Sequence, residues 1–185
     1  MITIRPIDSF DPARFQAIAS GYTTSEIYHV ARSESETQIN FTLTLRALSE
    51  PQGFRFSFDE EELERYSVLI PSEFCFGAFD DATLVGIALA EPQAWNRTLW
   101  VWDFHVAASH RGQGIGRRLM AALAGRAAAA GLRAVICETQ NTNVPAIRFY
   151  RAVGFMMEGV DISYYTNEDM LPGGTVAVFM KLRLE

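Results

Sequence analysis

The sequence predicts a mixed, mostly antiparallel α/β sheet with helices on both faces, and three observations carry that prediction. Apolar and polar residues alternate in several short runs of strand length. Two helical patterns, near residues 115–130 and 144–153, separate strands in the second half and end at Gly131 and Gly154. Strands come before, between and after these helices, as in a single layered α/β domain. A length of 185 residues, with 49% hydrophobic and 12% aromatic side chains, suits one domain over 1–185 with a filled core.

Taken in order, Met1–Pro6 alternates as a first strand, and Asp11 is placed to cap a helix over Pro12–Ile18. The stretch Thr23–Gly53 suggests a helix near Ile27–Arg32 and a strand near Gln38–Leu45, where Ile39, Phe41, Leu43 and Leu45 alternate with polar residues. Ser57–Tyr66 is acidic, carries Phe58 and Leu63, and reads as a short helix. Strands at Phe74–Phe79 and Leu84–Glu91 are joined by the turn residues Asp80-Asp81-Ala82. A further strand, Thr98–Ala107, leads through the Gly-rich stretch His110–Gly116 into a helix with Ile115, Leu119, Leu123 and Ala127 on one stripe. Ala134–Thr139 is a strand and Val144–Val153 a helix, and Asp161–Thr166 with Thr175–Leu184 forms a closing antiparallel pair.

Composition narrows the function classes. Charged residues make up 21% without a long run of one sign, which disfavours a nucleic-acid arm. The net charge of -6 and pI near 5.1 favour a cationic partner weakly. Cys75 and Cys137 sit in apolar runs, as buried thiols do in a reducing compartment. His29, His105 and His110 have no His or Cys neighbour at ligand spacing, so no metal site is expected. No signal-like or membrane-spanning apolar stretch is evident, which points to a cytoplasmic protein with no membrane partner.

Arg111-Gly112-Gln113-Gly114-Ile115-Gly116 lies between an apolar strand and an amphipathic helix. Glycines leave backbone N–H groups unobstructed, and the start of the helix adds its own unpaired amides and positive dipole end, a combination that suits a pyrophosphate. The spacing is neither that of a dinucleotide fold nor that of a P-loop. By itself such a stretch is equally a tight connection. A second motif follows at Asn143-Val144-Pro145-Ala146-Ile147-Arg148-Phe149-Tyr150, completed by Gly154-Phe155. Asn143 and Pro145 suit a helix start, and Asn143 and Tyr150, seven residues or about two turns apart, project from one side.

These two motifs resemble the signatures of the GNAT superfamily of N-acetyltransferases. Arg111, Gly114 and Gly116 match the first, and Asn143, Ala146, Phe149, Tyr150, Gly154 and Phe155 match the second. The resemblance covers about residues 74–184 and implies the GNAT fold with acetyl-coenzyme A as co-substrate. It implies that the pantetheine arm lies along the backbone of Phe104, His105 and Val106, where a bulge opens the strand. The pyrophosphate would lie on the amides of Gly112, Gln113, Gly114, Ile115, Gly116 and Arg117, with Arg111 opening the motif and Asn143 on the pantetheine arm. Tyr150 would protonate the departing thiolate, although the same residue also fits plain core packing.

An amine must lose a proton before it attacks a thioester. Asp103, in the strand leading to the Gly-rich stretch, sits in an apolar run (Trp100, Val101, Trp102, Phe104) where a carboxylate is costly unless paired or working. Related aminoglycoside acetyltransferases are acidic at that position. By alternation Asp103 shares a face with Val101 and His105. Glu138, at the end of the next strand, is a second candidate base or an anchor for another ammonium group, and His105 is an alternative relay. Trp95, Trp100, Trp102, Tyr164 and Tyr165 read as core and rim rather than a cation cage.

Within the superfamily, Glu138–Asn143, Gly159-Val160-Asp161 and Thr175–Phe179 look like the streptothricin acetyltransferase branch, although Trp102 stands where that branch often has Glu. The implied reaction is direct transfer of acetyl to a primary amine of a small cationic molecule in a ternary complex, because neither cysteine lies in a motif for a covalent relay. A peptide N-acetyltransferase and a noncatalytic acyl-coenzyme A sensor are the rival readings. A homodimer through the C-terminal strands is suggested by analogy.

Overall fold

In the computed structural model, which describes residues 1–184, the chain forms two compact units. The first combines Met1–Gly21, Arg55–Cys137 and the residues from Leu182 onward, and the second combines Tyr22–Phe54 with Glu138–Lys181.

The first unit contains β1 (Ile2–Pro6), α1 (Pro12–Ile18), α2 (Glu60–Leu69), β4 (Phe76–Asp80), β5 (Thr83–Gln93), β6 (Thr98–Val106), α3 (Ile115–Ala129) and the start of β7 (Ala134–Gln140), and the second contains the intervening β2 (Tyr22–Glu34) and β3 (Ile39–Phe54). The strand order in the first unit is β1-β4-β5-β6-β7, antiparallel except for β6 and β7. Two bulges set which side chains face where. Between β4 and β5 the register skips Val85, so Val85 joins Ala78 and Ile115 in a core beneath α3. On the opposite face Ile87 and Leu89 join Phe15 and Ile18 of α1 and Tyr66 of α2. Helices therefore cover both faces, as expected.

Local chemistry explains the helix starts. The Asp11 side chain accepts from the Arg14 amide at 3.1 Å, and Pro12 opens α1. The expected helix at Ser57 starts instead at Glu60, where Asp59 and Glu62 form a reciprocal capping box of 2.8 and 3.2 Å. Three glutamates in its first turn face the positive end of the helix dipole.

The second unit adds α4 (Val144–Ala152), β8 (Met156–Asp161) and β9 (Ala177–Arg183, which continues into the first unit). The helix expected over Ile27–Arg32 is strand. Tyr28 pairs with Leu45 and Val30 with Leu43 in an antiparallel ribbon, and cross-strand packing of β-branched and aromatic residues outweighs a weak local helical pattern. β9 lies between β7 and β8, and β8 pairs with it antiparallel. The expected strand over Asp161–Thr166 is displaced upstream. Asp161 Oδ1 accepts from the Ser163 amide at 3.0 Å, and Asp169 takes the amides of Tyr165 and Thr166, which draws this backbone out of the ladder.

Asn141 ties the second unit together. Its Nδ2 donates to the Tyr28 carbonyl and its Oδ1 accepts from the Val176 amide, both at 2.8 Å, while its backbone also bonds both residues. No helix among the described residues is long and apolar enough to cross a membrane. Cys75 and Cys137 are buried.

Candidate active site

In the first unit β6 delivers the chain to the Gly-rich stretch. After Val106 the chain makes a single 3-10 turn, Ala108–His110, then passes Gly112 at φ 75° and Gly114 at φ 76°, both left-handed. A Cβ at either glycine would meet no atom within 4 Å, so open space lies over this backbone. Gly114 caps α3 without a side-chain hydrogen bond, and the first turn of α3 holds no acidic residue. The positive end of this 15-residue helix thus meets no acidic side chain in its own first turn. Arg111 braces the loop. Its guanidinium bonds the carbonyls of Val106 and Gly21, each at 3.0 Å, and holds the loop in place. Gln113 similarly donates to the Ser109 carbonyl at 3.3 Å, whereas Arg117 is exposed.

Asp103 and His105 meet on one face of β6, with His105 Nε2 2.7 Å from Asp103 Oδ1 and both side chains almost buried at 9% and 12% exposure. Val101 does not share that face. The register jumps from Ala90–Val101 to Leu89–Asp103, so Trp102 is a bulge residue and the alternation reverses across it. This is the bulge that the sequence suggested nearer Phe104. Trp102 packs on the same core as Leu89 and donates Nε1 to Glu91 at 3.1 Å, with Arg65 over its ring. Around His105 stand Phe15, Phe56 and Phe58. Burial, then the Asp103 charge and hydrogen bond, push the Tyr66 phenol well above its ordinary range.

In the second unit Asn143 caps α4, its Oδ1 accepting from the Ala146 amide at 3.2 Å. Tyr150 is buried, its ring between Phe149 and Phe155. Glu138 and Gln140, two apart on β7, both reach Tyr165. The phenol donates to Glu138 Oε1 and accepts from Gln140 Nε2 at 3.2 Å, and Asn143 Nδ2 lies 3.5 Å from Gln140 Oε1.

Residues 40–155 match the acetyltransferase (GNAT) family model. The chain belongs to the acetyltransferase (GNAT) family. It is 42% identical over 85 residues to streptothricin acetyltransferase of Streptomyces lavendulae, a match over 46% of this chain and 45% of that protein. The aligned part thus spans about half the length of that curated relative. A solved nourseothricin acetyltransferase is similar over 100% of this chain and 99% of its own, with 27% identity and a TM-score of 0.75. A Bacillus anthracis protein assigned as a streptothricin acetyltransferase, solved with acetyl coenzyme A, shares the fold at 22% identity and a TM-score of 0.77, covering 100% and 98% of the two chains.

In this GNAT chain the expected site residues therefore fall into two groups. Asp103, Phe104, His105, Val106 and 111–117 belong to the first unit, and Glu138, Asn143 and Tyr150 to the second. Sequence reasoning missed Tyr66, which buttresses Asp103, and Asn141, which joins three backbone segments. It also read Tyr165 only as one of a core-and-rim set, although its phenol bridges Glu138 and Gln140. Each makes contacts 25 or more residues away along the chain, and no local spacing announces such contacts.

Proposed function

We propose that this GNAT protein, as one domain over 1–185, transfers an acetyl group from acetyl-coenzyme A to a primary amine of a small cationic molecule of the streptothricin kind. The observation that carries the reading is the open, uncapped start of α3 beyond two left-handed glycines, which fits a pyrophosphate. The similarity to enzymes named for streptothricin and nourseothricin supports the acceptor class.

Asp103, or Glu138, accepts the proton that the ammonium must lose, directly or through water. The freed nitrogen lone pair then forms a bond to the thioester carbonyl carbon in a ternary complex. Backbone amides near Val106 polarise that carbonyl oxygen as it gains negative charge. As the C–S bond breaks, the nitrogen releases its remaining extra proton to solvent, Tyr150 gives its proton to the sulfur, and a proton from solvent restores the phenol. Asn143 holds the pantetheine arm. A cytoplasmic location and a homodimer through the C-terminal strands go with this reading.

Coenzyme A release, followed with a thiol reagent, tests the proposal across streptothricin-type and aminoglycoside antibiotics, polyamines, amino acids and basic peptides. Turnover concentrated in the streptothricin-type amines is expected. Turnover confined to peptides would overturn the acceptor, and tight acetyl-coenzyme A binding without turnover on any amine would favour a sensor.

A further inference from the structure

β2 and β3 form a two-stranded ribbon, and the alternation of their residues gives it one apolar face. On that face Tyr28 stands opposite Leu45 and Val30 opposite Leu43, while Phe41 and Ile39 stand opposite Arg32 and Glu34. The base of the ribbon is held inside its own unit. Glu26 pairs with Arg148 at 2.6 Å, and the Tyr28 amide and carbonyl both bond Asn141. Toward the turn this cover ends. Residues 31–42 are all exposed, Ile39 at 58% and Phe41 at 45%, and Leu45 follows at 39%.

The outer edge of β3 is open along the same stretch. The Ser35 amide bonds the Gln38 carbonyl at 2.8 Å across the turn, and antiparallel ladders alternate, so Asn40, Thr42, Thr44 and Arg46 exchange the hydrogen bonds with β2. The N–H and C=O groups of Ile39, Phe41, Leu43, Leu45 and Ala47 therefore point away from β2. No strand of the described residues pairs with β3 on that side. Edge strands are ordinarily blunted by lysine, proline or a bulge. Over residues 39–49 the only charge is Arg46, the first proline is Pro51, and the register over 39–47 is unbroken.

We propose that this edge pairs antiparallel with the β3 edge of a second copy of this chain, across a two-fold axis at Leu43. In that register β3 is complementary to itself. Ile39 meets Ala47 and Phe41 meets Leu45 on the apolar face, Thr42 meets Thr44 and Asn40 meets Arg46 on the other, and no two like charges stand opposite. A slip of one residue would join the apolar face of one copy to the polar face of the other. The outward backbone groups supply about ten hydrogen bonds, as many as a typical interface carries, and the joined ribbons share one continuous apolar face. This contact is separate from the C-terminal strands named for a homodimer, and it does not depend on the acetyltransferase reading.

Thr42 and Thr44 are exposed on the polar face of the ribbon, so charges placed there spare its packing. Thr42→Lys/Thr44→Lys sets like charges opposite each other across the two-fold, and Thr42→Lys/Thr44→Glu sets lysine against glutamate. Sedimentation equilibrium of the full chain is expected to show a dimer for the wild type, a dissociation constant weakened about tenfold or more by the two lysines, and recovery with the lysine–glutamate pair. A second measurement uses the wild type alone. Hydrogen exchange at the amides of Ile39, Phe41, Leu43, Leu45 and Ala47, read by NMR, is expected to slow as protein concentration rises. A monomeric wild type, fast exchange of those amides at every concentration, or a dimer that the two lysines leave intact would overturn the pairing, the last by moving the contact to another surface. Failure of the lysine–glutamate pair to restore the dimer would overturn the register at Leu43.

Discussion

Replacing Asp103 by Asn separates a working carboxylate from a merely structural one. The native side chain is 9% exposed, lies 2.7 Å from His105 Nε2 and is bonded to the Tyr66 phenol. Asn keeps the shape and removes the charge. A hydrogen bond to a charged group contributes roughly 1.5–3 kcal/mol and a neutral one about 1, so two weakened bonds cost about 2 kcal/mol. For a chain of this size that is a fall in Tm of about 4–8 °C, readable by thermal denaturation. Loss of a general base lowers turnover by about 10²–10⁴-fold, far more than so small a loss of stability explains. Tyr66→Phe is the control. It removes one bond to the same carboxylate and leaves the base, so it is expected to cost about 1.5–3 kcal/mol and only a small part of the rate. Coenzyme A release and Tm are measured on all three proteins. A drop in Tm with kcat within threefold of wild type would refute a catalytic Asp103, and an unchanged Tm would refute the reasoning about its buried bonds.

Gly114→Ala keeps the space around the residue clear but forces Ala to φ 76°. The strain is about 1–2 kcal/mol, and acetyl-coenzyme A affinity, read by calorimetry, is expected to fall at least tenfold because the methyl enters the open space over the loop. An unchanged Kd would remove Gly114 from the pyrophosphate site. Tyr150→Phe is expected to leave acetyl-coenzyme A binding intact and lower kcat by about 10²-fold or more; unchanged turnover in steady-state assays would show that Tyr150 serves packing alone. Stability should also fall in alkali. Burial, opposed by the Thr142 hydrogen bond, raises the Tyr22 phenol from 10.0 to about 12, and Tyr66 and Tyr165 are raised as well. Their folded forms hold protons more tightly than the unfolded chain, so this stability is complete below pH 10 and is lost as pH rises through the raised values. Equilibrium urea unfolding at pH 8 to 11.5 checks the slope, and Tyr22→Phe is expected to flatten it.

Elements whose cause is local were legible in the sequence. Asp11 and Pro12 start α1, Asn143 and Pro145 start α4, and Gly112 and Gly114 shape the turn into α3, because capping and left-handed backbone depend on a few adjacent residues. Both family motifs lie in such segments, so the glycine stretch and the Asn143–Tyr150 helix could be read from spacing alone. Tertiary contacts decided the rest. Ile27–Arg32 is a strand because Leu43 and Leu45 offer a partner, and β8 stops at Asp161 because Asp169, eight residues on, claims the Tyr165 and Thr166 amides. The bulge at Trp102 turns Asp103 toward His105 and Tyr66 rather than toward the side of Val101. Chain order alone therefore determined which residues could carry the chemistry. Which of them share a face, and which distant phenol holds each carboxylate, required the folded backbone, since one inserted residue reverses every side chain after it.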